Sequence, residues 1–183
     1  MRRPVEVGRE VYLRYPSARD ADAFVTRTRA SRRLHRGWVH APDSSVAFEA
    51  HLRRSRQPDV ASFLICRRDD DDLAGVATLS QIFLGNFRNA YLGFYAFEPH
   101  ARRGYMSEGI GLVLRHAFAT LGLHRVEANV QPDNDASMAF VERLGFRREG
   151  YSPRYLKIGG RWRDHVRYAI LAEEFVSRDA RGR

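Results

Sequence analysis

Apolar and polar positions follow two different periods along the chain, and the switches between them mark the elements. Val11-Tyr12-Leu13-Arg14-Tyr15 reads as a first strand that Pro16 stops. Ser17-Ala18-Arg19-Asp20 fits a capping box, in which the serine and the acid three residues later satisfy free N–H groups, so a helix is expected from there toward His35. A second helix opens at Asp43-Ser44-Ser45 and stops before Pro58. Residues 60–68 and 73–84 read as an antiparallel hairpin across Asp69-Asp70-Asp71-Asp72, a solvated acidic turn. Residues 91–97 form an aromatic-rich strand ended by Pro99. Met106, Ile110, Val113, Leu114, Ala117, Phe118 and Leu121 then recur at steps of three and four, the stripe of an amphipathic helix that Gly122 closes. Residues 126–130 read as a short strand, and residues 134–144 as a helix with Ala136, Phe140 and Leu144 on one face. Leu144-Gly145-Phe146 is its stop, because glycine accepts the left-handed conformation and the aromatic packs back. Two last strands, 155–158 and 166–171, flank the turn Gly159-Gly160. Strands dominate the first part and alternate with helices in the second, so the class is mixed α/β (α+β), one domain over residues 1–183.

Composition removes several alternatives. Cys66 is the single cysteine, which excludes an intrachain disulfide and a thiolate metal cage; its strand context reads as a small buried hydrophobe. Apolar runs such as 63–66 and 94–97 fall far short of the ~18 residues a membrane helix needs. Met1-Arg2-Arg3-Pro4-Val5-Glu6 has no apolar segment behind its basic residues, so a cytoplasmic protein is expected. Neither the acidic run nor the spacing of His124, His165 and the other histidines suggests a metal site. The net charge is +9, from 31 basic and 22 acidic residues, and Lys157 is the one lysine. Arginine forks bind phosphates and carboxylates, so this charge suits a polyanionic partner such as a nucleotide or RNA, or else forms a solvated basic surface.

Arg102-Arg103-Gly104-Tyr105-Met106-Ser107 stands between a strand and the long helix. Backbone N–H groups converging at a helix N-terminus make an anion site, and glycine lets a phosphate approach the main chain. The element is neither a Walker loop nor a dinucleotide fingerprint, since the Gly-Lys-Ser/Thr step and the three spaced glycines are missing.

These residues belong to a longer resemblance. Gly104-Tyr105-Met106-Ser107-Glu108, His124-Arg125-Val126, Asn134 with Ser137, and the run from Leu144 to Tyr151 resemble the GNAT N-acetyltransferase superfamily. Arg33-Leu34 with Gly37-Trp38, Tyr91-Leu92-Gly93-Phe94 and Trp162-Arg163-Asp164-His165-Val166 resemble its RimJ/RimL branch, most of all the RimJ-type ribosomal-protein alanine N-acetyltransferases. The motifs cover nearly the whole chain in order. The resemblance implies a central twisted, mostly antiparallel sheet flanked by helices and splayed where acetyl-CoA lies between two strands. It implies a pyrophosphate on Arg102, Arg103, Gly104, Tyr105, Met106 and Ser107, and a pantetheine arm along the main chain at Ala96 and Phe97. Asn134 would touch the cofactor arm or a water, Ser137 would lie near the sulfur as general acid, and Arg33, Trp38, Tyr91, Tyr155 and Asp164 would wall the acceptor. Ala101, Arg102 and Met106 depart from the family's usual glutamine or arginine, glycine and small residue.

Each role competes with an ordinary one: helix capping for Asn134 and Ser137, core packing for Trp38 and Tyr155. No general base stands out; Glu98 and His100, which follow the cofactor strand, are the candidates. An α-amino group titrates near pH 7.7–8.0 against about 10.4 for lysine, so it reaches the neutral form without a strong base. The expected activity is acetyl transfer to a protein N-terminus, with a ribosomal protein as partner, no membrane and no metal. Two alternatives stay open: a small-amine acetyltransferase acting on an antibiotic or polyamine, and a non-catalytic module of the same fold that binds RNA or the ribosome.

Overall fold

The computed structural model describes residues 3–181, with side chains through Val176; Met1 and Arg2, part of the stretch read above for a leader, lie outside it. Eight strands form one sheet: β1 (Glu6–Val7), β2 (Val11–Arg14), β3 (Val60–Arg67), β4 (Leu73–Phe83), β5 (Asn89–Ala96), β6 (Arg125–Val130), β7 (Arg147–Ile158) and β8 (Arg161–Leu171). Their order is β1-β2-β3-β4-β5-β6-β8-β7, and every neighbour is antiparallel except β5 and β6. The helices are α1 (Ala21–Ala30), α2 (Arg32–His35), α3 (Ser45–Arg54), α4 (Tyr105–Arg115), α5 (Asp135–Arg143) and α6 (Ala172–Arg181), with a 3-10 turn at Ala18–Asp20 and a π-helical turn at His116–Thr120. Among the described residues, no helix is long and apolar enough to cross a membrane.

The apolar stripe of α4 explains the larger core. Ile110, Val113, Leu114 and Ala117 are fully buried against Ala90, Leu92, Val126 and Ala128 on one sheet face, where Val141 of α5 joins them. The opposite face carries a smaller core of Phe24, Phe48, Leu64, Cys66, Val76 and Phe97 under α1 and α3. Burial pushes the Cys66 thiol up to about 11, so it packs as a hydrophobe.

The elements differ from the sequence pattern in a few places. The helix expected from Ser17 to His35 breaks at Ser31, whose hydroxyl donates to the Arg27 carbonyl at 2.7 Å and accepts from the Glu98 N–H at 2.8 Å. The capping acid is buried: Asp20 accepts from Ser17 N–H at 2.7 Å and Ser17 Oγ at 2.9 Å, and holds the Arg14 guanidinium bidentately at 2.9 and 3.0 Å. The last two strands are longer than their apolar segments, because their polar stretches pair with each other and need no core on both faces. Gly159 and Gly160, with φ of +57° and +78°, form the two-residue turn between them.

The acidic turn is the larger correction. Asp69 and Asp70 pair with Arg67, Asp71 accepts from the Tyr12 hydroxyl, and Asp72 holds both Arg27 and His100. A sequence window sees four consecutive carboxylates at a turn, whereas the partners of Asp71 and Asp72 arrive from β2, α1 and the 97–100 loop.

Candidate active site

The parallel pair β5/β6 is joined only from Asn89/Arg125 to Tyr91/Glu127, and beyond that the two strands diverge. Alternation along β5 sets what lines the gap. Phe97 N–H donates to Ala74 O at 2.8 Å on the β4 side, so Tyr95 and Gly93 share that side and the main-chain groups of Phe94 and Ala96 turn toward the opening. The Ala96 carbonyl is occupied: His35 Nε2–H donates to it at 2.8 Å, which leaves Nδ1 buried without a partner. Burial holds the His35 imidazole below its usual pKa and therefore neutral. What remains open toward the gap is the Ala96 N–H with both polar groups of Phe94. Phe97 offers neither, since its carbonyl accepts from His100 N–H at 2.9 Å and its ring sits in the smaller core. The pairing expected at Ala96 and Phe97 thus narrows to Ala96 and shifts to Phe94.

The loop leading to α4 has the geometry of an anion cradle. Gly104 is the N-cap with φ +89°, and a β-carbon there would meet nothing within 4 Å. Only glycine adopts this φ without strain, and the empty space above it is what a ligand oxygen needs. The first intrahelical bond is Glu108 N–H to Gly104 O at 3.2 Å, so the N–H groups of Tyr105, Met106 and Ser107 precede the ladder. The Glu108 carboxylate is turned away to Glu10 N–H at 2.9 Å, which keeps negative charge out of the cradle. Arg102, at the position where the family favours glycine, adopts φ +64°; it and Arg103 are exposed and carry no carboxylate partner among the described residues. The side chains of Tyr105 and Met106 serve packing instead. Tyr105 lies under the Arg67 guanidinium and against His100, and Met106 fills the space over Gly75 that any β-carbon would need.

The loop is latched from behind. His100 Nε2–H donates to Asp72 at 2.7 Å, and Arg27 grips the same carboxylate through Nε at 3.0 Å. His100 is therefore a buried strut, and Glu98 an exposed residue whose N–H is tied to Ser31; neither fits the general-base role.

On the other side of the gap, the Asn134 side chain accepts from Ser137 N–H at 3.1 Å, so Asn134 caps α5 and the Ser137 hydroxyl does not. Ser137 lies one turn before Phe140 on the same helical face, and the Phe140 ring packs 5.1 Å from Phe94. Ser137 is half-buried, and among the described residues its hydroxyl has no hydrogen-bond partner.

The face of the sheet away from α4 presents Tyr91, Glu127, Asn129, His165 and Arg167, by the same alternation that buries Val126, Ala128 and Val130. Burial, the Tyr155 phenol and the Glu127 carboxylate together push Tyr91 up to about 12. The His165 ring lies 6.1 Å from Tyr155; Nδ1–H donates to Arg163 O at 3.0 Å, leaving Nε2 as an acceptor, and burial keeps the ring neutral. The loop carrying Trp38 closes over this face, tied by Gln131 Nε2–H to Gly37 O at 3.2 Å, and Arg33 lies exposed two residues before His35. Asp164 does not join this group. Its neighbour His165 faces the cleft, so Asp164 points to the other side, where it accepts from the Tyr151 hydroxyl and, at 2.7 Å, from Arg154 N–H. Glu127, Asn129 and His165 are not among the acceptor-wall residues read from the sequence, although the alternation Val126-Glu127-Ala128-Asn129-Val130 already signals a strand with one polar face. Among the described residues, no group of three or more His, Cys, Asp or Glu side chains is placed to hold a metal ion.

Comparison with known proteins agrees with this geometry. Residues 10–147 match the acetyltransferase (GNAT) domain model. Over 121 residues, 66% of the chain and 67% of the relative, the protein is 41% identical to the probable N-acetyltransferase YjcK of Bacillus subtilis. It is 36% identical over 108 residues, 59% of its length, to the [ribosomal protein uS5]-alanine N-acetyltransferase of Escherichia coli, of which the match spans 56%. Its fold superposes on Mycobacterium smegmatis RimJ in complex with CoA-disulfide with a TM-score of 0.82 at 29% identity, covering 100% of this chain and 92% of that one. A sheet opened between two parallel strands, a glycine-capped helix at its mouth and a domain match over most of the chain have one common explanation: the protein belongs to the GNAT family and is an N-acetyltransferase.

Proposed function

We propose that the protein transfers the acetyl group of acetyl-CoA to the α-amino group of a protein N-terminus, with ribosomal proteins as its substrates. The observation that carries this reading is the pairing of an anion cradle and free β5 main chain on one side of the sheet with a face on the other where Tyr91, Tyr155 and the neutral His165 stand beside Glu127 and Arg167. The substrate that names the E. coli relative, an alanine N-terminus of ribosomal protein uS5, supports the choice of acceptor.

Acetyl-CoA supplies an activated thioester. Its pyrophosphate suits the N–H groups of residues 105–107 with Arg102 and Arg103, and its extended arm suits the unpaired edge at Phe94 and Ala96. The Phe94 and Ala96 N–H groups are fixed dipoles for the carbonyl oxygen as negative charge builds on it. The acceptor nitrogen forms the new C–N bond, the C–S bond breaks, the Ser137 hydroxyl protonates the departing sulfur, and the proton shed by the new amide nitrogen restores the hydroxyl. An α-ammonium loses its proton near neutral pH, and His165, neutral and with Nε2 left to accept, is the proton acceptor on the acceptor face.

Two outcomes are expected. In calorimetry, Arg103→Ala weakens acetyl-CoA binding about fivefold, as expected for an exposed ion pair, whereas Arg68→Ala leaves it unchanged, because Arg68 only ties down the Gly8 and Arg9 carbonyls. A peptide with a free alanine or serine N-terminus and an internal lysine is acetylated at the N-terminus alone. Tandem mass spectrometry that places the acetyl group chiefly on the lysine, or reaction of small amines only, overturns the acceptor.

A further inference from the structure

The hairpin formed by β7 and β8 carries charge that the fold does not use. From Ser152 to Arg163 the chain contains Arg154, Lys157, Arg161 and Arg163 and no acidic residue. Asp164, the next acid, spends its oxygens on the Tyr151 hydroxyl and Arg154 N–H. Among the described residues, no carboxylate pairs with Lys157, Arg161 or Arg163, whereas Arg125 and Arg147 near the far end of the hairpin are held by Glu127, Glu149 and Glu174. Unpaired like charges on one ribbon repel, so folding gains nothing from collecting them there.

Trp162, 60% exposed, stands directly opposite Lys157 in the strand register and shares its face of the ribbon, whereas Arg161 and Arg163 project from the other face; among the described residues no ring is stacked on the indole. An acidic peptide satisfies the cations and leaves the indole idle. A single RNA strand offers phosphates to the guanidinium groups and an unstacked base to the indole. The location adds a third argument. A β-carbon on Gly159 would stand 3.0 Å from His40 Nε2, so the hairpin tip leans on the loop that carries Trp38, at the mouth of the acceptor cleft.

We infer that the β7–β8 hairpin is an RNA-docking arm, in which single-stranded RNA passes over the hairpin tip: Trp162 stacks on a base and Lys157 takes a phosphate beside it on one face, and Arg161 and Arg163 take phosphates from the other. Docked RNA then lies beside the acceptor mouth, where a protein N-terminus held on that RNA is within reach. The biological sense of this arm rests on the ribosomal reading above; the RNA contact itself does not.

Fluorescence anisotropy with a short labelled single-stranded RNA tests it, with unlabelled polyglutamate as competitor and salt as a variable. Combined Lys157→Glu, Arg161→Glu and Arg163→Glu substitution is expected to weaken binding by more than tenfold and to flatten the slope of log K against log salt by about 2, close to 0.7 for each of three lost phosphate contacts. Trp162→Ala weakens binding about tenfold and Trp162→Phe far less, because a phenyl ring still stacks. All these sites are exposed, and unchanged melting temperatures confirm that the variants fold. Acetylation of a free N-terminal peptide stays at the parent rate in Lys157→Glu and Trp162→Ala, which lie on the face away from His165, while acetylation of the same N-terminus on an RNA-bound ribosomal protein falls. Equal RNA affinity of the parent and the triple variant overturns the arm. Displacement of RNA by polyglutamate with no effect of Trp162→Ala makes it an acidic-peptide site and also overturns it. A parent that binds RNA through these residues yet acetylates no peptide N-terminus refutes the proposed function and leaves the arm standing.

Discussion

Replacing Ser137 by alanine is expected to lower turnover by about 10²-fold, the contribution of a positioned proton donor, while acetyl-CoA affinity and stability stay near those of the parent. The structure separates this from a capping effect. Asn134 supplies the oxygen that caps α5, and Ser137 contributes only its backbone N–H, which alanine keeps. Asn134→Ala is therefore the variant that loses about 1 kcal/mol of stability. A melting curve beside a steady-state rate for each variant distinguishes the two residues. A Ser137→Ala enzyme with parent-like turnover removes the serine from the chemistry, and one that melts as early as Asn134→Ala returns it to helix capping.

The second large effect is expected at Asp72, the carboxylate that ties the anion loop to α1. Burial pushes its pKa up, but His100, Arg27 and the Leu73 N–H outweigh that and hold it below the ordinary 3.8. Since the folded value lies below the unfolded one, the stabilisation is complete above about pH 4 and is lost as the pH falls through the folded value. Asp72→Ala leaves the buried His100 Nε2 and the Arg27 guanidinium without their shared acceptor. At pH 7 it is expected to destabilise the protein by about 2–3 kcal/mol, the range for hydrogen bonds to a charged group, and to flatten the fall in stability below pH 4. Acetyl-CoA affinity drops with it, because His100 meets the Tyr105 ring edge-on at the start of the cradle. Denaturant titrations of parent and variant at pH 7 and pH 3 measure both effects. A loss at pH 7 within the ±0.5 kcal/mol typical of ordinary surface positions shows that the latch does not hold the loop.

Local signals sufficed for most elements and for the glycine-capped start of α4. The stripe from Met106 to Leu121, the stop at Leu144-Gly145-Phe146 and the glycine pair at 159–160 each satisfy a requirement of the backbone within a few residues, so the physics that sets them is written in adjacent positions. The same holds for Gly104, since a left-handed N-cap before an amphipathic helix needs nothing distant to be recognised. The roles that depend on contact between remote segments were not readable in this way. Asp72 looks like any turn carboxylate until α1 and His100 close on it, and Ser137 looks like a cap until Asn134 is seen to accept its N–H. Phe97 looks like an open edge of the cofactor strand until its N–H is found on Ala74, and Asp164 like a member of the acceptor wall until strand alternation turns it to the other face. Periodicity states which positions share a face, but which partner arrives on that face is a matter of packing, and only the folded sheet brings β2, α1, β5 and the β7–β8 hairpin to the places where these side chains meet.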